Sequence, residues 1–164
     1  MESTGTTSSS ESLGKNLSIR VATPYDLDLL GTMGYRFAEL YGNDLMDFRA
    51  SIFKSKMQTF MDQGIGTVLC LHEKAALLGA LAGLMYDNVF DGKPCATELF
   101  WYVWPGAPRG SGTMLLRAFE EWAYAKGCTR ITMALMMHNE QERLDKFYRD
   151  RDYVAFEKHY VKRI

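Results

Sequence analysis

Hydrophobic and polar positions along the chain change period several times, and each change marks an element. Residues 17–22 alternate as a first strand. Thr23, Pro24 and Asp26 then supply an N-cap, a first-turn proline and an acid facing the positive end of a helix. Leu27, Leu30, Met33, Phe37 and Leu40 follow at helical spacing, and Tyr41-Gly42-Asn43-Asp44 ends the run. A second helix is predicted from about Asp47, carrying Phe48, Ile52, Met57, Phe60 and Met61, and stopping at Gly64. Strands are predicted over 66–71 and 77–85, with His72, Glu73 and Lys74 as their turn; Gly79 and Gly83 allow close approach in the second. After an Asp91-Gly92 turn, residues 98–104 are rich in aromatic and β-branched side chains, as a packed strand requires. Pro105, Gly106 and Pro108 stop it, and Leu115, Leu116, Phe119, Trp122 and Ala123 then line one face of a helix closed by Lys126 and Gly127. A strand over 129–137, a helix over 139–150 with Leu144, Phe147 and Tyr148, and a strand region over 153–164 complete the chain. The order β-α-α-β-β-β-α-β-α-β fits a mixed sheet covered by helices.

The turn before the third long helix has chemical content. Gly110, Ser111, Gly112 and Thr113 lead into a helix start, where unpaired backbone N–H groups meet the positive end of the helix dipole, a setting suited to phosphate. Two nucleotide fingerprints are excluded. The P-loop spacing from Gly106 needs a glycine at position 111, which is Ser111, and no Lys-Thr follows. The dinucleotide spacing from Gly110 needs a third glycine at position 115, which is Leu115.

Strand, loop and helix together resemble the acyl-CoA-binding motif of the GNAT N-acetyltransferase superfamily. That pattern is a strand ending in Val-x-Pro (Val103, Pro105), an Arg/Gln-x-x-Gly-x-Gly/Ala loop, and a helix with paired leucines (Leu115, Leu116). Counted back from the leucines, the glycine pair is Gly110 and Gly112, and Ala107 takes the Arg/Gln position. Counted from Arg109, the first glycine is Gly112 and the second position is Met114. The first register keeps the helix in phase. A second motif follows. The family's helix Asn-x-x-Ala-x3-Tyr-x4-Phe/Tyr matches Tyr148 and Tyr153, with Gln141 at the Asn position and Asp152 in place of a glycine. Aspartate tolerates left-handed backbone better than most residues.

The resemblance spans residues 17–164 as a single domain, with residues 1–16, rich in Ser, Thr and Gly, expected as a disordered tail. It implies a mixed α/β fold: a mostly antiparallel central sheet of six or seven strands, flanked by about four helices, with a splay between strands 4 and 5. It implies acetyl-CoA as cosubstrate, its pyrophosphate on the loop amides and its pantetheine arm along the fourth strand. The implied contacts are Tyr102, Val103, Arg109, Gly110, Ser111, Gly112 and Thr113. The implied activity is transfer of an acetyl group to a primary amine of a small molecule or a protein lysine. A fold that binds CoA without catalysis, as a sensor or interaction module, is the alternative.

Such a reaction needs a base for the amine proton and a donor for the departing thiolate. The resemblance assigns the donor to Tyr148. Glu98 is the candidate base, a carboxylate early in the fourth strand and, by simple alternation, on the side of Phe100 and Tyr102. His138 is a weaker candidate, and His72 reads as a turn residue. The connection between the first two helices bounds the acceptor in this family. Tyr41 could wall an amine there, and Asp44 and Asp47 could attract it or serve as caps.

Composition narrows the classes. A chain of 164 residues, 47% apolar and 24% charged, holds one domain with a real core. The net charge of −1 gives no basic signature for nucleic acid, and no apolar run reaches membrane-spanning length. The first residues lack the basic-then-apolar order of a signal peptide. Cys70, Cys95 and Cys128 are an odd, widely spaced set that indicates neither a disulfide framework nor a metal site, so reduced thiols and a cytoplasmic setting are expected. Neither Cys95 nor Cys128 has the surroundings of an activated nucleophile. Homodimerisation stays open.

Overall fold

The computed structural model describes residues 16–42, 45–136 and 141–164. The expected tail, apart from Asn16, lies outside those residues, as do Asp44, Met137, His138 and Asn139. Five strands form one sheet in the order β1-β2-β3-β4-β5: β1 is Leu17–Val21, β2 Gly66–Glu73, β3 Ala76–Asp87, β4 Pro94–Val103 and β5 Arg130–Thr132. The first four pair antiparallel, and β5 pairs parallel to β4. Four helices accompany them: α1 (Leu27–Tyr41), α2 (Ala50–Asp62), α3 (Ser111–Ala125) and α4 (Gln141–Arg149).

The sheet has two apolar faces, which is why β2 is buried along nearly its whole length instead of alternating with polar residues. On one face Leu30, Met33 and Met57 of α1 and α2 pack on Val68, Ala80, Ala82, Phe100 and Tyr102. On the other, Leu115, Phe119 and Ala123 of α3 pack on Leu69, Leu71, Leu81 and Ala96. The close approach expected at Gly83 is there: a Cβ at this position would come within 2.4 Å of the Phe119 ring.

Several expectations need correction. His72 and Glu73 belong to β2, and the turn begins at Lys74, whose φ is 54°. Arg20 explains His72. Its guanidinium lies 3.3 Å from Nε2 of the buried His72 and makes a paired ion contact with Asp26 at 2.7 and 2.8 Å, so the imidazole has a polar neighbour inside the fold. The strand expected over 129–137 pairs at only three positions. No strand forms over 153–164, where Val154, Phe156 and Tyr160 stand exposed, so the sheet has five strands among the described residues instead of six or seven. Strand-forming residues without a neighbouring strand edge to pair with do not make a ladder.

Candidate active site

The site begins where β4 and β5 part. Their pairing covers Cys95, Ala96 and Thr97 against Arg130, Ile131 and Thr132, and no ladder joins them beyond that point. From Glu98 to Val103 the β4 edge facing β5 therefore presents backbone N–H and C=O groups that an extended ligand can engage. The ladder ends where the splay is expected.

A bulge sits at the same place. Gly83 pairs with Glu98 and Ala82 pairs with Phe100, so Leu99 is the extra residue. The bulge reverses the face of everything before it. Phe100 and Tyr102 pack toward α1 and α2, whereas Ala96 and Trp101 pack on the α3 face. Glu98 is in phase with Ala96. It thus points away from Phe100 and Tyr102, which corrects the expectation from strict alternation.

Glu98 Oε2 accepts the backbone N–H of Ala134 at 2.9 Å. The same residue uses its carbonyl oxygen to accept the Tyr148 hydroxyl at 3.2 Å. One residue just past the end of β5 thus ties together the carboxylate of β4 and the phenol of α4. Burial pushes the Glu98 carboxyl up to about 7, and the Ala134 N–H only partly opposes this. Burial, with the Glu98 charge as the next cause, raises the Tyr148 phenol, so it keeps its proton at neutral pH. Tyr153 completes the group. Its ring lies 5.5 Å from that of Tyr148, and its hydroxyl donates to Glu120 Oε1 at 2.9 Å. The turn that places it has Asp152 at φ 62°, the left-handed geometry anticipated for that position.

At the other side of the splay, α3 starts from Gly110 with φ 90°, a conformation that a side chain would strain. A Cβ there would meet only open space, so conformation and not crowding dictates the glycine. Ser111 turns inward, its hydroxyl donating to the Pro108 carbonyl at 2.7 Å, which leaves its side chain committed to the loop. The amides of Gly112 and Thr113 lie in the first helical turn, which lacks intrahelical acceptors. Arg109 is exposed beside them. This geometry suits a phosphate group held by main chain.

Trp101 does more than fill the core. Its indole lies so close to Gly112 that a Cβ there would come within 3.2 Å of the ring. The rings of Phe147 and Tyr148 also neighbour it, at 6.1 and 6.4 Å. The indole N–H is buried and has no hydrogen-bond partner among the described residues. Nothing in the sequence separates it from its aromatic neighbours, because only the bulge decides which face it takes. Ala134 was equally invisible, since it acts through backbone alone.

Asp47 lines a groove between α1, α2 and β4, and Tyr41 packs edge-on at 5.1 Å against Phe37, another residue of that lining. Asp44 and His138 fall outside the described residues. Burial raises the Cys128 thiol, the opposite of what an activated nucleophile needs. Among the described residues no three His, Cys, Asp or Glu side chains gather to hold a metal ion, and no helix is long and apolar enough to cross a membrane.

Comparison with known proteins bears on the fold and the family. The model of the Acetyltransferase (GNAT) family matches residues 35–153, well over half of the chain. An aminoglycoside acetyltransferase from an uncultured soil metagenomic sample, solved in complex with trehalose, is 17% identical; 93% of this chain and 99% of that one are covered, with a TM-score of 0.71. A transcriptional regulator from Bacillus halodurans is 16% identical over 90% of this chain and 99% of its own, with a TM-score of 0.73. An acetyltransferase from Trypanosoma brucei is 14% identical over 90% and 99%, with a TM-score of 0.67. Identities this low speak to the fold alone. A comparison with curated protein sequences finds no match. On the match to the family model, the chain belongs to the GNAT acetyltransferase family.

Proposed function

We propose that this protein moves an acetyl group from acetyl-CoA to a primary amine, with Glu98 as base and Tyr148 as acid. The observation that carries the reading is the shared residue Ala134, which holds a carboxylate poised near 7 and a protonated phenol side by side at the end of the β4–β5 ladder. Acetyl-CoA supplies the acyl group and a thiolate leaving group. The amides of Gly112 and Thr113, with Arg109 beside them, would take its pyrophosphate, and the unpaired edge of β4 through Tyr102 and Val103 would take its pantetheine arm.

Glu98 in its ionised form accepts the proton of the incoming ammonium, directly or through one water, which frees the nitrogen lone pair. A base poised near 7 is half ionised at neutral pH and still strong enough to take a proton. The nitrogen adds to the thioester carbonyl, and the carbon–sulfur bond breaks as the amide forms, the second proton of the nitrogen leaving to solvent. Tyr148 then gives its proton to the sulfur, and the proton returns to the phenol from solvent. Loss of the Ala134 hydrogen bond would accompany that transfer, so the hydroxyl serves as a positioned donor and not as a fixed strut.

The test is an acetyl-transfer assay over a panel of amines with free-thiol detection, together with thermal melting in acetyl-CoA. A ligand at 100 times its dissociation constant adds about 2.7 kcal/mol of stability. Melting unchanged by acetyl-CoA removes the reading altogether. A shift without thiol release for any amine moves the protein to the class of CoA-binding sensors.

A further inference from the structure

Trp101 joins the two halves of the site. Its side chain packs on the α3 face of the sheet. The indole edge that carries Nε1 and Cζ2 faces Gly112 in the first turn of α3: a Cβ added to that glycine would stand 3.2 Å from Cζ2 and 4.0 Å from Nε1. The same indole bears on α4, with the Phe147 and Tyr148 rings at 6.1 and 6.4 Å. One side chain thus reaches both the helix start whose amides suit a phosphate and the helix that carries the phenol.

A phenylalanine at this position would fill an apolar layer without stranding a donor. The indole N–H is buried and, among the described residues, unpaired, and a buried donor without an acceptor is costly. What the indole adds is reach, since one rigid plane meets Gly112 and both rings of α4.

The α4 end of this contact is held firmly. The Arg151 guanidinium lies 3.8 Å from the centre of the Phe147 ring and donates to the Phe147 carbonyl at 3.0 Å. Tyr148 is buried, and its ring lies 5.5 Å from that of Tyr153, whose hydroxyl donates to Glu120 of α3. The Tyr148 hydroxyl itself donates to the Ala134 carbonyl at 3.2 Å, longer than the usual range for such a bond. A bond of that length holds the oxygen loosely, so the surrounding rings set its place. A ligand gripped at the Gly112 turn and reacting at the phenol needs those two points at a fixed separation, and an error of about 1 Å there costs about 100-fold in rate.

We propose that Trp101 is a positioning residue for the acid: its indole is the spacer that fixes the Tyr148 hydroxyl at a set distance from the Gly112 turn. The consequence for catalysis rests on the acetyl-transfer reading. Trp101 itself makes no bond and moves no proton.

The experiment is a double-mutant cycle read by kcat, by calorimetric binding of acetyl-CoA, and by heteronuclear NMR of the Trp101 indole N–H, identified by its loss in Trp101→Phe. Trp101→Phe should lower kcat about fivefold and leave the acetyl-CoA Kd within about twofold. In the Tyr148→Phe background the same substitution should change kcat by less than about twofold, because the group it positions is gone, whereas independent effects multiply. Phe147→Leu is the second variant and decides the matter if Trp101→Phe does not fold. It keeps the indole, removes one of the rings the indole bears on, and should show a smaller loss of kcat with the same failure to multiply. The indole signal should shift in Tyr148→Phe and when CoA is added to the unaltered chain. Losses that multiply in the double variants, or a kcat untouched by the single ones, overturn the inference and leave acetyl transfer standing. An unaltered chain that acetylates no amine overturns the transfer reading instead, and the indole signal then decides the spacer. Shifts with both Tyr148→Phe and CoA uphold it, and a signal that fails to move with either one overturns it.

Discussion

Asp26 and Glu98 are two carboxylates drawn into one small fold, and their surroundings push them in opposite directions. Asp26 follows β1 and receives four donors: both ends of the Arg20 guanidinium, the Thr23 amide and the Thr23 hydroxyl. The Arg20 contact, which outweighs burial, holds its carboxyl far below the ordinary 3.8. Glu98 receives the Ala134 amide and no guanidinium, and burial pushes it from 4.5 up to about 7. Both have left bulk water. The number and charge of the donors decide whether such a group stays an ion or exchanges a proton. The first arrangement suits a strut tying β1 to the start of α1. The second suits a base.

The largest effect expected from breaking this contrast is at the strut. Asp26→Ala leaves Arg20 and the Thr23 donors without their acceptor. Because Arg20 is about half-exposed, the loss should be near the low end for a broken buried pair, about 3 kcal/mol. That is a fall in Tm of roughly 10 °C for a domain of this size, readable by calorimetry. At the base, Glu98→Gln should keep the fold and lower kcat/KM about 100-fold, the low end for a general base. Retention of full turnover would remove Glu98 from the mechanism. Tyr148→Phe should lower kcat about tenfold and leave acetyl-CoA stabilisation in place, since the phenol acts late. Thr23→Val should be the mildest. It removes one of four donors to Asp26 and should cost about 1.5 kcal/mol, with the acid limb of stability shifted toward higher pH.

The pH dependences should run in opposite senses. Asp26 has a lowered pKa, so its contribution is complete above about 4 and drains away as the pH falls below the unfolded value. Glu98 has a raised pKa, so the stability from its neutral form is complete below about 4.5 and is lost as the pH rises through 7. Activity follows the other form of Glu98: kcat/KM should climb with pH through an apparent pKa near 7, and the limb should vanish in Glu98→Gln. A profile that keeps this limb in the variant assigns the titration elsewhere.

Much of this was legible before the coordinates. The periods of two and 3.6 residues locate β1 to β4 and α1 to α3, because each buries an apolar face in the core, and they locate α4, which turns Tyr148 inward. Pro24, Gly110 and Asp152 mark backbone positions whose residue types are themselves conformational statements. What escaped is non-local. The strand expected over 129–137 shortens to a three-residue β5, and the strand-forming residues of 153–164 have no strand edge to pair with. His72 looks like a turn residue until Arg20 is found beside it across the sheet. Trp101, Ala134 and the direction of Glu98 all depend on Leu99, and one additional leucine in an aromatic strand carries no mark of being a bulge.

Leu99 acts on the strand much as an inserted letter acts on a reading frame. One face of β4 is read in one phase up to Glu98 and in the other from Phe100 onward. A deletion at this position would therefore not be a local loss. Either Glu98 would swing toward the phenyl groups of α1 and α2, or Phe100 and Trp101 would exchange layers, and no single compensating substitution restores both. The position should tolerate exchange of side chain far better than a change of chain length.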